Sequence, residues 1–351
     1  MNTKINVLIT GPMPPPAGGI SIHLQRLQHL LNDEFNLDFI DESRMKNKLY
    51  FNIKSLNLIV YLKKIRSAEI IFIHSGNRLF KKLHILAGKL FGKKVIITIH
   101  GYGKKRSFLF RIYDQLIFNL ANKIILVTPE IRQKLNLNDK KIVIQNAFLP
   151  PILIEEPNLS NAIETRLIES RKKNKIIICA NASRLDNYNG EDLYGLDIAI
   201  EATKMLVDAG VQVDLIFVVS SLDAGEVKFK KAQHLIQQYQ IQSSFFLIHE
   251  KASFVKLIEQ SDIVIRPTNT DGDSLTIREG LYLNKIVLAS DVVQRPEGTK
   301  LFKTRNIEDL FEQMKIIIMQ KNDINNLYIK VPVEHEQFYS SLIKEVYNDG
   351  R

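Results

Sequence analysis

Short, almost wholly apolar runs recur along this chain, each closed by a turn and followed by residues with helical spacing. INVLIT opens the series, followed by a helix over 21–31, a strand at 37–41 and a helix over 51–66. Residues 69–74, 94–100 and 123–128 are further strands with helical spacing after each, and 141–144 makes a last short one. Strands this continuously apolar are buried on both faces, which predicts a parallel sheet with helices on each side. The proline-rich FLPPILIEEPNLSN after Asn146 interrupts the alternation and reads as a linker. A second series follows, with strands at 175–180, 213–219, 245–248, 262–265 and 286–289, and 334–346 is spaced as a closing helix. The expected fold is therefore α/β. It has one doubly wound, Rossmann-like domain over 1–150, a second over 151–332, and a C-terminal helical segment over 333–351.

Composition fits that architecture. At 351 residues and 45% hydrophobic, the chain suffices for two cores. The single cysteine, Cys179 in KIIICA, excludes an intrachain disulfide, and no Cys/His spacing suggests structural zinc. MNTKINVLIT runs directly into a strand without the apolar core of a signal peptide, and no stretch approaches the roughly 20 apolar residues of a membrane span. A cytoplasmic location is expected.

Charge changes the picture. Residues 1–150 hold 24 Lys+Arg against 9 Asp+Glu, and the remainder hold 24 against 29. Between Arg44 and Arg111 there are 17 basic residues and one acid, Glu69. Clusters such as Lys63-Lys64-Arg66 and Lys104-Lys105-Arg106 flank apolar positions between Tyr50 and Leu62. An apolar stripe beside lysines suits an anionic membrane surface, at about 1 kcal/mol per basic residue. Nucleic acid is not expected, because no recognised binding motif accompanies the charge.

The candidate chemistry is densest in RPTNTDGDSLTIREGLYLNKIVLASD, residues 266–291. A buried strand there runs into a polar loop, and Leu275 begins a helix with Ser274 as expected N-cap. Amides after Gly272 would point out of the helix start, where an anion is favoured, and Glu279 lies just over a turn further on. A carboxylate there can accept from two vicinal hydroxyls, such as those of a ribose. In the first domain, GPMPPPAGGISIH leaves strand one with Gly18 and Gly19 at a helix start, so that backbone can approach a diphosphate or sugar. His100, ending KKVIITIH before Gly101, is placed to bond a substrate hydroxyl. His74 with Ser75 and Asn77 ends the preceding strand similarly and suits an acceptor.

Residues 271–291 resemble the signature of retaining GT-B glycosyltransferases of the group 1 family. That signature has an acid, a glycine-containing loop, a second acid eight positions on, and a strand ending in Ser-Asp. Asp271 stands where the family usually has Glu; Gly272, Asp273, Ser274 and Leu275 fit the loop and helix start, Glu279 the second acid, and KIVLASD the strand. The Gly18-Gly19 pair with His23 a few residues on, and His100 as a donor-sugar contact, match the same family. The resemblance implies two Rossmann-like domains facing a cleft, with the C-terminal helix returning to the first. It also implies sugar transfer from a nucleotide-sugar donor to a glycan or lipid-linked glycan acceptor, at the inner membrane face in surface-polysaccharide synthesis. Asp271 would orient the donor sugar and Glu279 the ribose. Arg184, in ANASRLDNYNGEDLYGLD, fits the arginine of a diphosphate clamp, whose lysine is replaced by Asn189 or Tyr194 depending on alignment. Arg278 or Lys251 are substitutes to consider. Asp271-Gly272-Asp273 also reads as a metal-holding Asp-x-Asp, but its position deep in the second half speaks against that, and neither metal nor cofactor is expected. Two further readings stay open: a nucleotide-sugar epimerase of the same architecture, and an inactive nucleotide-sugar-binding protein.

Overall fold

The computed structural model describes residues 4–15, 18–44, 49–102, 108–222, 225–320 and 335–349. They form two compact units, one within Met1–Leu149 and Val333–Arg351, the other within Pro150–Pro332. The first unit begins β1 (Asn6–Gly11), α1 (Gly19–Leu31), β2 (Asn36–Asp41), β3 (Phe51–Asn52), α2 (Leu58–Ser67) and β4 (Ile70–Ile73). It continues α3 (Arg78–Leu90), β5 (Lys94–Ile99), α4 (Phe108–Phe118), β6 (Lys123–Leu126), α5 (Glu130–Lys134) and β7 (Ile142–Ile144). Its seven strands are all parallel in the order β3-β2-β1-β4-β5-β6-β7. One face carries the core built around Ile65, Ile85, Val95 and Phe118; the other carries Leu24, Leu27, Phe72 and Ile96.

Residues 145–160 contain neither helix nor strand. The second unit then runs α6 (Asn161–Lys172), β8 (Ile176–Ala182), β9 (Asn187–Tyr188), β10 (Glu191–Asp192), α7 (Leu196–Asp208), β11 (Val213–Val219) and α8 (Glu226–Gln238). It ends β12 (Phe245–His249), α9 (Phe254–Gln260), β13 (Ile263–Arg266), α10 (Leu275–Tyr282), β14 (Ile286–Ser290), β15 (Lys300–Phe302) and α11 (Ile307–Met319). Its six-stranded sheet is also wholly parallel, in the order β12-β11-β8-β13-β14-β15, with apolar cores on both faces. Both units are Rossmann-like, as the alternation predicts. The last helix, α12 (His335–Asn348), adds Tyr339, Leu342, Ile343 and Val346 to the first unit's core.

Three local differences have physical causes. The single helix expected over 51–66 is broken, because Asn52 turns inward to donate to Asp41 Oδ2 at 2.8 Å and Leu56 takes a left-handed φ of 56°. Helix α2 starts afresh under the side-chain cap of Asn57. The stripe read between Tyr50 and Leu62 is divided: Tyr61 is buried and Tyr50, Phe51 and Leu62 pack against the cores, while Leu56, Leu58 and Ile59 are exposed. The hairpin β9–β10 was not apparent from the pattern, since two-residue strands carry no periodicity. Lys104, Lys105 and Arg106, with Pro16 and Ala17 of the first glycine loop, lie outside the described residues.

Candidate functional site

In a doubly wound sheet, the crevice for a ligand opens at the carboxyl ends of the strands where the strand order reverses. The reversal lies between β1 and β4 in the first unit and between β8 and β13 in the second. The predicted residues gather at these two places, each within its own unit.

At the first, Gly18 is the N-cap of α1, and its N–H donates to Ser21 Oγ at 2.7 Å. A Cβ added to Gly19 would meet nothing within 4 Å. Packing therefore does not require a glycine there, and the space beside it is open. His23 on α1, His74 after β4 and His100 after β5 form a cluster, with ring centroids 5.0 to 5.6 Å apart. His23 Nδ1 lies 2.7 Å from the carbonyl oxygen of Ala147. A carbonyl only accepts, so Nδ1 carries the proton and Nε2 of the neutral ring is a bare lone pair. The Nε2 atoms of His23 and His74 are buried without a hydrogen-bond partner. His74 Nδ1 and His100 Nε2 share a hydrogen bond at 3.3 Å. Burial drives the pKa of His23 down to about 4 and those of His74 and His100 well below the ordinary value, so all three are neutral near pH 7. A ring nitrogen of each lies within 4.8 Å of the others, the one such group among the described residues.

At the second place, Asp271 is wholly engaged. Arg266 Nε and Nη2 donate to its Oδ2 and Oδ1 at 3.1 and 3.2 Å, and Arg295 Nη1 donates to Oδ2 at 2.9 Å. Thr268 Oγ1 and the Gly272 amide add bonds at 3.3 and 3.1 Å. Burial alone would raise this carboxyl's pKa, but the two arginines outweigh it and hold it below the usual range. Arg295 also donates to the Ser290 carbonyl at 2.9 Å, tying the end of β14 to the loop after β13. Its side chain is only 2% exposed. Arg266 spends three of its five N–H groups on Asp271 and, at 3.4 Å, on Asn181 Oδ1, and its guanidinium lies 5.2 Å from the centroid of the Tyr194 ring. Tyr194, one of the two candidate replacements for the clamp lysine, thus sits beneath an arginine. The adjoining Gly195 has φ +70°, and a Cβ there would fall 2.1 Å from the Pro267 carbonyl oxygen, so the two loops meet only through a glycine.

The remaining predicted residues are placed as follows. Ser274 is the N-cap of α10, but its side chain makes no cap bond, contrary to expectation, which leaves the first-turn amides without a side-chain partner. A Cβ at Gly272 would meet nothing within 4 Å. Glu279 on α10 is buried, 5% exposed. Arg184 is 60% exposed and paired with Asp186 at 3.1 Å. Arg278 is held by Asp273 at 2.5 Å, and Lys251 is exposed. Both carboxylates of Asp271-Gly272-Asp273 are therefore occupied by arginines, which does not fit a site for a hard cation. Sequence reasoning passed over Arg266 and Arg295. The available signal was a pair of Arg-Pro dipeptides, 266–267 and 295–296, each following an apolar strand.

Neither a protein-family model nor a curated protein matches this sequence. Solved structures do. A glycosyltransferase from Rickettsia africae ESF-5 superposes with a TM-score of 0.73 at 17% identity, with both chains covered in full. Anabaena HepE in complex with UDP gives 0.65 at 12%, covering 97% of this chain and 100% of that one. Trehalose-6-phosphate synthase OtsA gives 0.65 at 10%, covering 98% and 99%. At such identities the likeness establishes the fold, which is that of the GT-B glycosyltransferases.

Proposed function

We propose that this chain is a metal-independent, retaining glycosyltransferase that moves a sugar from a nucleoside-diphosphate donor to a glycan or lipid-linked glycan acceptor. The observation that carries the reading is the Arg266–Asp271–Arg295 cluster at the second unit's switch point, beside the uncapped start of α10. One acid between two arginines leaves a net positive site, and Arg266 retains two unused N–H groups for an anion. Arg266 thus takes the place of the missing clamp lysine, and Asp271 acts on the donor through it, presenting the guanidinium. Arg184, exposed nearby on the loop after β8, supplies a second cation. As the bond to the anomeric carbon breaks, negative charge grows on the leaving diphosphate. Fixed cations and helix-start amides stabilise that charge more than the ground state. With both acids of the loop committed to arginines, no carboxylate there serves as a nucleophile. Attack on the same face, with the leaving phosphate taking the acceptor's proton, accounts for retention. Glu279 is assigned to the ribose, and His100 with the Gly18-Gly19 turn to the contacts that the resemblance implies. A setting in surface-polysaccharide synthesis follows from that resemblance too.

The clamp is tested by calorimetry with UDP, chosen because HepE is seen with it, against uridine as control. Arg266→Gln is expected to weaken UDP by about 10- to 100-fold, the equivalent of one or two charge-assisted hydrogen bonds, with uridine unchanged. UDP affinity within twofold of wild type would remove Arg266 from the clamp.

A further inference from the structure

Helices α3 and α4 present two matching apolar stripes to solvent. On α3 these are Leu79, Leu83, Leu86 and Leu90; on and just beyond α4 they are Leu109, Tyr113, Leu116 and Leu120. Each set follows the i, i+4, i+7, i+11 spacing of one helix face. The exposure is large, 74% at Leu79, 80% at Leu90 and 76% at Leu109. These are not core faces turned outward by accident. The opposite side of α3 is fixed to the sheet by Ile85 and by Gly88, where an added Cβ would lie 2.9 Å from both Ile71 and Val95. The opposite side of α4 is fixed by Ile117 and Phe118. The two helices are clasped together by Lys82 Nζ and Asp114 Oδ1 at 2.6 Å, so the stripes form one surface. A contiguous apolar face of this kind on a folded unit marks a site of association.

Charge selects the partner. Helices α2 and α3 contain no acid, and the single acid of α4, Asp114, is buried against Lys82. Arg78 and Arg111 stand exposed beside the stripes, with Lys63 and Arg66 exposed on neighbouring α2. A second copy of the chain would bring like charges together, which opposes self-association. Nucleic acid would leave the leucines unburied. We infer that the α3–α4 face is a docking surface for an anionic lipid bilayer, its leucines entering the acyl boundary and its arginines lying among the headgroups. This relocates the membrane contact expected near Tyr50 to Leu62, and it is independent of the reading of the second unit's site.

The test is co-sedimentation of the full chain with vesicles of phosphatidylcholine alone and of phosphatidylcholine mixed with phosphatidylglycerol. Wild type is expected to partition onto the mixed vesicles, and less so as salt is added. The double variant Leu86→Glu/Leu116→Glu should bind at least about tenfold more weakly, as loss of buried leucines requires, and Arg78→Glu/Arg111→Glu should also lose binding. Because all four residues are exposed, unfolding temperature and UDP affinity should stay at wild-type values, which separates loss of docking from misfolding. The proposal is overturned by wild type that ignores the mixed vesicles, by equal binding to neutral ones, or by variants that sediment like wild type. A wild-type dimer in light scattering that Leu86→Glu/Leu116→Glu dissociates would overturn it equally, by making the face a contact between copies.

Discussion

Asp271→Ala is expected to destabilise the second unit by about 3–5 kcal/mol, the range for removing one partner of a buried ion cluster. The loss exceeds that of a surface pair because, among the described residues, this acid is the only carboxylate paired with the two guanidinium groups, one of them only 2% exposed. Without it, Arg266 and Arg295 repel one another across a partly desolvated site, and the ends of β13 and β14 lose their common anchor. The check is chemical unfolding read separately for the two transitions that a two-unit chain can show. Asp273→Ala is the control, because Asp273 holds only the partly exposed Arg278; it should cost about 1 kcal/mol or less. Equal losses for the two variants would contradict the cluster's role.

The second large effect is on pH dependence. His23 has its folded-state pKa lowered from 6.5 to about 4 by burial, with Arg26 adding to the shift and the bond to Ala147 opposing it. His74 and His100 are depressed by burial as well, and by nearby positive charge that includes Lys81. Below about pH 6.5 the unfolded chain takes up protons that the folded cluster refuses, so stability falls with acidification. It is fully present above the unfolded pKa and lost through the window down to about 4 for His23. Over that whole window His23 alone is worth about 3 kcal/mol, at 1.36 kcal/mol per pK unit. Unfolding of the first unit followed from pH 7.5 to 4.5 should show this slope, and His23→Gln should flatten it. A stability flat between pH 6.5 and 4.5 would mean that the rings protonate freely in the folded state.

Most strands of both sheets were legible because they are apolar runs, whereas β3 (Phe51–Asn52) and β15 (Lys300–Phe302) carry no such run and were not expected. Val213–Val219 has the expected bounds, and most others differ by one or two residues. Where side chains left the regular pattern to serve a tertiary partner, the reading failed. Asn52, drawn inward by Asp41, splits the helix expected over 51–66, and nothing local announces it. Arg266 at the end of β13 and Arg295 in the loop after the neighbouring β14 converge on Asp271, a meeting that only the sheet order produces. The same limit hid the docking face. In RLFKKLHILAGKL apolar residues occur around much of the helix, and only the sheet shows that Ile85 turns inward while Leu79, Leu83, Leu86 and Leu90 turn out.

Sugar transfer from a nucleotide donor is put to the test by incubating the chain with a panel of nucleotide sugars and resolving the products by anion-exchange chromatography and NMR. Release of a nucleoside diphosphate is expected, slow with water and faster with a glycan acceptor, together with a product that keeps the donor's anomeric configuration. An isomeric nucleotide sugar with the diphosphate still attached would contradict it in favour of an epimerase. Binding of nucleotide sugars without any product, across the whole panel and with acceptors present, would contradict it in favour of an inactive binding protein.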